Sequence, residues 1–337
     1  MTASPAADAA ATGPARTIFF GSGPFAVPML AALLELPEVD VVAVVTVPDR
    51  PAGRGRLLSS SPVAVAAAGR NLRLLQPGSI RDPNVAEQLA AERPTLGVLA
   101  DYGRIVPPAV LEIPKRGFLN VHPSLLPRHR GASPIPAAIL GGDTEAGVTI
   151  IEMDPGLDTG PIVASTTFPV PANATAPEVE RRAAEVGAAL LARVAPAWIR
   201  GEITARSQPA DGASLSRPLS REDGRLDGSE AAAIAERRIR AFDPWPGTFI
   251  EAEVDGGIER AAILRGAVAG GGDGGQAGTL VADGSGLALE TIDGRLRLLD
   301  VRPAGRGAMT GAEWRRGRPQ LVGASVVARQ APAVARP

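Results

Sequence analysis

The sequence predicts an α/β protein in two parts: a Rossmann-like, mainly parallel sheet domain over residues 16–203, then a small OB-like antiparallel β-barrel over 229–325. Three observations carry this. Short apolar strands alternate with helical patterns from Thr17 to about Gly201, as a sheet with helices on both faces requires. A polar stretch broken by Pro209, Gly212 and Pro218 then interrupts the pattern, so residues 204–228 read as a linker. Beyond it, five short strands with glycine turns follow one another with no clear helix between them.

Taken in order, Thr17-Ile-Phe-Phe-Gly21 is the first strand and Phe25–Leu36 the first helix. Val41–Val47 and Leu72–Leu75 are strands, Asn84–Glu92 a helix and Leu96–Ala100 a strand. Gly117–Val121 is an apolar strand running out to a polar end. Val148–Met153 and Pro161–Ser165 add two strands, and the amphipathic helix Glu178–Ile199 closes the domain. The second domain opens on a helix, Ser229–Phe242, ended by Asp243-Pro-Trp-Pro-Gly247. Its strands are Thr248–Val254, Arg260–Leu264, Gly278–Val281, Leu287–Thr291 and Leu296–Val301, with the run GGGDGG at 270–275 as a surface turn. Residues 1–15 and 326–337, rich in Ala and Pro, read as a disordered extension and tail.

Composition removes several function classes. The chain has 337 residues, 45% of them apolar, enough for globular cores. It has no cysteine, which excludes a disulfide framework, a thiolate metal site and a thiol nucleophile. With two histidines and no HExxH pattern, no metal is expected. A net charge of −1 announces no nucleic acid globally. Apolar runs are too short or too Pro/Gly-broken to span a membrane, and the first fifteen residues lack secretory features, so a cytoplasmic location is expected. Nothing indicates an obligate protein partner.

Both histidines lie in one stretch, Asn120-Val-His122-Pro-Ser-Leu-Leu-Pro-Arg-His129, at the end of the fifth strand. Asn120 and His122 are two apart, so on an extended strand they share a face. That strand end is where open α/β sheets bind ligands. Asp158, in the glycine-flanked loop Asp154-Pro-Gly-Leu-Asp-Thr-Gly160, is placed to reach them. An amide, an imidazole and a carboxylate together suit acyl-type chemistry. His129, among arginines, reads as surface or substrate-facing. Gly21-Ser-Gly23 lacks the third glycine of a dinucleotide fingerprint, so a tight strand-to-helix turn is preferred over a nicotinamide site. The loop Pro48–Arg56 carries Arg50, Arg54 and Arg56; it is either a solvated loop or a phosphate contact. Five arginines between Arg302 and Arg318, against Glu313 alone, pose the same choice.

The pattern Asn120-x-His122-x-Ser-Leu-Leu-Pro-x-x-Arg-Gly131, with Gly156-Leu-Asp-Thr-Gly160, resembles the signature of folate-dependent formyltransferases. Other segments resemble the methionyl-tRNA branch of that family: Gly21-Ser-Gly-Pro-Phe-Ala-Val-Pro28, Pro48-Asp-Arg-Pro-Ala-Gly-Arg-Gly55, Gly147–Asp154, Ile239–Pro246 and Pro303–Met309. The likeness covers roughly residues 16–320. The chain departs from it in Gly21-Ser22-Gly23 at the first turn, in Asp101 before Tyr102-Gly103, in Leu215-Ser-Arg-Pro218 of the linker, and in Leu226-Asp227-Gly228.

The resemblance implies 10-formyltetrahydrofolate as formyl donor, with no metal, and initiator methionyl-tRNA as acceptor. It implies Asn120, His122 and Asp158 as the catalytic set, Ser124, Leu125, Leu126 and Pro127 as the folate-lining turn, and Arg50, Arg54 and Arg56 as tRNA contacts, Arg54 foremost. The alternatives are a formyltransferase for an amino sugar or nucleotide, a formyltetrahydrofolate hydrolase, and a non-enzymatic RNA-binding module.

Overall fold

The structure is a computed structural model that describes residues 13–52, 57–270 and 275–329. Arg54, Arg56, the centre of the GGGDGG run and most of the expected extension and tail lie outside the described residues. The chain divides into two compact units.

The first unit comprises Met1–Ala132, Glu145–Phe168 and Glu180–Leu215. Its strands are β1 (Ala15–Gly21), β2 (Val39–Val45), β3 (Arg50–Ala52), β4 (Leu57–Ser59), β5 (Leu74–Leu75), β6 (Leu96–Ala100), β7 (Phe118–His122), β8 (Arg130–Gly131), β9 (Glu145–Glu152), β10 (Ile162–Pro169) and β11 (Leu215–Ser216). Its helices are α1 (Ala26–Leu34), α2 (Pro62–Ala68), α3 (Pro83–Ala91) and α4 (Pro108–Leu111). Seven strands form one sheet in the order β10-β9-β7-β6-β1-β2-β5. The pairs from β7 through β5 run parallel, and β9 joins β7 antiparallel. The chain reverses direction across the sheet between β1 and β6, so the crevice at their carboxyl ends is a topological switch point.

Apolar strands on both sides of β1 make the core continuous. Ile18, Phe20, Val45, Leu99 and Phe118 pack in one buried cluster. Phe118 meets Phe20 edge-on, with centroids 5.3 Å apart. Gly97 makes room for that ring: a Cβ there would lie 2.4 Å from Phe118 Cδ1. Helix α1 buries Ala26, Met29, Leu30 and Leu33, the spacing of one helical face. Ser61 caps α2, accepting the Ala64 N–H, and Asp82 caps α3. β1 starts at Ala15, inside the expected extension, because that residue is buried and its N–H donates to Glu38 C=O at 2.7 Å.

The second unit comprises Ser133–Thr144, Pro169–Val179 and Ser216–Pro337. Residues 16–203 were expected to form a single domain, yet two of their segments belong here. Helix α5 (Pro134–Gly141) packs against α7 (Ala232–Ala241). The long helix α6 (Ala176–Ile199) contributes only its first turn to this unit. The sheet contains β12 (Thr248–Val254), β13 (Gly257–Ala269), β14 (Leu280–Asp283), β15 (Gly286–Glu290), β16 (Arg295–Pro303) and β17 (Met309–Thr310), followed by α8 (Gly311–Gly317). Its order is β12-β13-β16-β15-β14, with β17 on β16, and the paired strands run antiparallel. The sheet curls around Ile250, Ile263, Leu289, Leu298 and Trp314. Val326 bridges Ala252 of β12, and Ser325 bridges Thr279 beside β14, so this segment ties the two edge strands together. Val326 to Arg329, expected as disordered tail, are therefore held: Val327 N–H donates to Glu251 C=O, and Arg329 bonds Asp223 and Asp227.

Candidate active site

The five residues of β7 are all buried between β6 and β9. Leu99 pairs with Asn120, Asn120 with Ile151, and His122 with Thr149. The two-residue pleat puts Phe118, Asn120 and His122 on one face. Phe118 is core, and the next two positions carry polar groups at 7% and 5% exposure. Polar groups so buried need partners.

Asp158 supplies one to Asn120 and lies close to His122. Asn120 Nδ2 donates to Asp158 Oδ1 at 3.1 Å, and the Gly131 N–H donates to Oδ2 at 2.8 Å. His122 Nδ1 lies 3.6 Å from Oδ2, within ion-pair reach but beyond a direct hydrogen bond. The three residues expected together are thus brought together, around one carboxylate that is itself nearly buried.

Two features of this site were not expected. His122 Nε2 lies 3.0 Å from the backbone oxygen of His129. A carbonyl only accepts, so in the neutral ring Nε2 carries the proton and Nδ1, on the Asp158 side, is the basic nitrogen. The His129 carbonyl thus fixes the tautomer, and His129 sits at φ 57° with its N–H donating to Ser214 Oγ at 2.8 Å. The second feature is Gln208, which falls in the expected linker. Its Nε2 donates to Asp158 C=O at 2.7 Å and Gly160 C=O at 2.8 Å, while its Oε1 accepts from Arg130 Nε and Nη2. Asp158 has φ 53°, an uncommon backbone state for a non-glycine residue, and Gln208 holds the loop in it. An open cleft of about 470 Å³ lies beside this loop, lined by Arg130, Asp154, Thr159 and Gln208 but by neither Asn120 nor His122.

Residues 15–195 match the formyl transferase family, and residues 218–319 match its C-terminal domain. The chain belongs to the formyl transferase family. It is 44% identical over 303 residues to the methionyl-tRNA formyltransferase of Chloroflexus aurantiacus, covering 89% of this chain and 96% of that one. The methionyl-tRNA formyltransferase of Myxococcus xanthus is 41% identical over 303 residues, covering 90% and 95%. Among solved structures, the N-formyltransferase of Helicobacter canadensis in complex with folinic acid and dTDP-3-aminofucose shares the fold at TM-score 0.62 and 18% identity, covering 84% of this chain and 98% of that one.

In this formyl transferase the turn Ser124–Pro127 is tied down from within. Ser124 Oγ donates to Arg128 C=O at 2.7 Å. Thr149, the β9 partner of His122, donates its hydroxyl to Ser124 C=O and accepts the Leu126 N–H. Among the described residues the Leu125 N–H and Leu126 C=O make no such bond.

Of the three loop arginines expected to meet tRNA, Arg50 is exposed at the start of β3, which pairs antiparallel with β4. Arg54 and Arg56 lie outside the described residues. In the Arg302–Arg318 strip, Arg315 donates to Gly284 C=O and Gly286 C=O, and Arg318 pairs with Glu259, so two of the five arginines are engaged structurally. Thr310 and Glu313 form a capping box that starts α8 within this strip. Among the described residues there is no group of acids and histidines that could hold a metal ion, and no helix is long and apolar enough to cross a membrane.

Proposed function

We propose that this protein transfers the formyl group of 10-formyltetrahydrofolate to the α-amino group of methionine on initiator tRNA, in the cytoplasm. The observation that carries the chemistry is one carboxylate, Asp158, gathering Asn120, Gly131 and His122 at a strand end with no activated nucleophile among them. The one hydroxyl on the adjoining turn, Ser124, is committed to Arg128 C=O. An amine acceptor needs no side-chain nucleophile, because it attacks directly once neutral.

In the reaction a bond forms from the amine nitrogen to the formyl carbon, the bond from that carbon to the folate N10 breaks, and the amine's proton passes to N10. Asn120 gives one amide hydrogen to Asp158 and keeps a second for the formyl oxygen as that oxygen gains charge. His122 takes the amine's proton at Nδ1 and returns it to the leaving nitrogen. Asp158, 3.6 Å away, stabilises the imidazolium formed in between. The folate donor is assigned to Ser124–Pro127. The unengaged Leu125 N–H and Leu126 C=O supply one donor and one acceptor there, the complement a pterin edge requires. The tRNA acceptor is supported by the resemblance running through both domains, and Arg50, Arg54 and Arg56 are assigned to its phosphates.

The deciding experiment is purified protein with 10-formyltetrahydrofolate and methionyl initiator tRNA, scored for formyl-methionine and for folate turnover. The expected result is formyl-methionyl-tRNA in step with folate consumption. Folate loss without formylated RNA would make the protein a hydrolase. Formylation of an amino-sugar nucleotide but not of tRNA would move it to the sugar branch. No folate turnover at all would sink the proposal.

A further inference from the structure

The loop Asp243-Pro-Trp-Pro-Gly247 leaves Trp245 53% exposed, presenting a large aromatic surface of the kind enriched where proteins bind partners. The Arg221 guanidinium lies over the indole, 5.3 Å from the ring centre. Arg221 is exposed and has no acidic partner among the described residues, whereas its neighbours Arg217 and Arg225 are paired with Asp223, and with Glu222 and Glu251.

The pair is built, not incidental. Arg221 opens a short helical turn, Arg221–Gly224, capped reciprocally by Ser220 and Asp223. The Asp223 carboxyl, bonded by Arg217, Arg329 and Ser220, is held far below the usual carboxylate range, first by Arg217, so the turn is locked as charged. That turn lies directly on the tryptophan loop. A Cβ at Gly224 would be 1.8 Å from Gly247 C=O, and Leu226 N–H donates to Phe249 C=O at 2.9 Å. The backbone thus fixes an unpaired cation beside an open aromatic ring.

We propose that Trp245 and Arg221 form a platform for one unpaired nucleotide of the tRNA substrate, the base stacking on the exposed indole and Arg221 holding the adjoining phosphate. Aromatic rings beside a guanidinium are the recurring device for holding bases without reading sequence. A protein partner fits less well: on this turn the ring's neighbours are an acid, two prolines and a glycine, not the apolar surround of a protein hot spot. The proposal deepens the tRNA reading above and rests on it.

The test uses the full chain, uncharged initiator tRNA as the probe, and tryptophan fluorescence. The chain has three tryptophans; Trp314 is buried, and the half-buried Trp198 donates to Arg116 C=O. Acrylamide should therefore quench mainly Trp245, as the W245F variant would verify by losing that component. Adding tRNA to the wild type should shield Trp245 from acrylamide. W245A, checked for folding by circular dichroism, should weaken tRNA binding about 5- to 150-fold, the range of one lost base stack, with W245F far closer to wild type. R221Q should reduce the slope of log Kd against log salt by about one. Wild-type protein that binds and formylates tRNA while Trp245 stays fully quenchable overturns the platform and leaves the tRNA reading standing. So does a folded W245A with wild-type affinity. Wild-type protein that binds no tRNA overturns both.

Discussion

His122 Nδ1 lies 3.6 Å from Asp158 Oδ2, while its Nε2 faces the His129 carbonyl at 3.0 Å. The ring is thereby held with its basic nitrogen toward the carboxylate and its proton toward backbone. A proton collected at Nδ1 makes an imidazolium flanked by a carboxylate and a carbonyl, both of which favour it. His122→Asn removes that carrier while keeping a small polar side chain on the strand. The expected outcome is a single-turnover formylation rate lowered by about 10²- to 10⁴-fold, the usual worth of a positioned acid–base group, with a Tm close to wild type. A rapid-quench measurement giving a near-normal rate would remove His122 from the reaction.

In the proposed reaction the Asn120 amide meets the formyl oxygen, and the carboxylate it bonds at 3.1 Å orients it, so Asn120 and Asp158 should act as one unit. Asn120→Ala and Asp158→Ala are each expected to cost about a hundredfold or more in turnover. The double variant should cost little more than the worse single one, since the second change removes a group that has already lost its partner. Multiplicative losses in this cycle would mean that the two residues work independently.

The strand half of this site was legible in the sequence and the loop half only partly. Asn120 and His122 stand two apart at the end of an apolar run, and a pleated strand leaves them no choice of face. Asp158 was recognisable as a carboxylate in a glycine-flanked loop, but its position depends on Gln208, fifty residues on, inside a polar stretch that looks like a linker. No periodicity marks a single amide that bonds two backbone carbonyls. The part His129 plays was invisible for a related reason: its backbone oxygen, not its side chain, meets His122, and backbone roles leave no signature in residue type. Helix α8 was missed although Thr310-Gly-Ala-Glu313 spells a capping box, because the surrounding arginines read as a basic strip. Helix α5 offered less: it carries prolines at its first and third positions, and it is held by packing on α7, which no local pattern reports.

Gln208 supports a direct test of that long-range brace. Gln208→Ala removes both donors to the Asp158 loop. Gln208→Glu keeps an oxygen toward Arg130 but sets a second oxygen against two carbonyls. Both should lower kcat by about 10- to 100-fold, as losing a partner that orients a reacting group does, with Gln208→Glu the worse. The KM for 10-formyltetrahydrofolate should move much less, because the hydrogen bonds of Gln208 go to Arg130, Asp158 and Gly160, not to the Ser124–Pro127 turn. A KM effect with unchanged kcat would recast Gln208 as a binding residue.

Asp101 gives the fold a pH dependence of its own. It stands at the carboxyl end of β6, at the switch point, where Ser22 and Gly23 donate their N–H groups to its backbone oxygen. The residue as a whole keeps solvent contact, but its carboxyl is tucked over Gly23. Desolvation, and secondarily the Glu180 carboxylate, push it up from 3.8 to about 7. Glu180 is itself pushed up by burial. A folded-state value above the unfolded one means the native protein holds a proton that the unfolded chain has released. Stability therefore falls as pH rises from about 4 to about 7, and the slope vanishes above that. Asp101→Asn keeps the shape and abolishes this titration. Thermal unfolding from pH 4 to 8.5 should show the variant gaining on wild type up to about pH 7 and holding a constant advantage beyond. Parallel Tm curves across that window would mean that Asp101 titrates as an ordinary surface carboxylate.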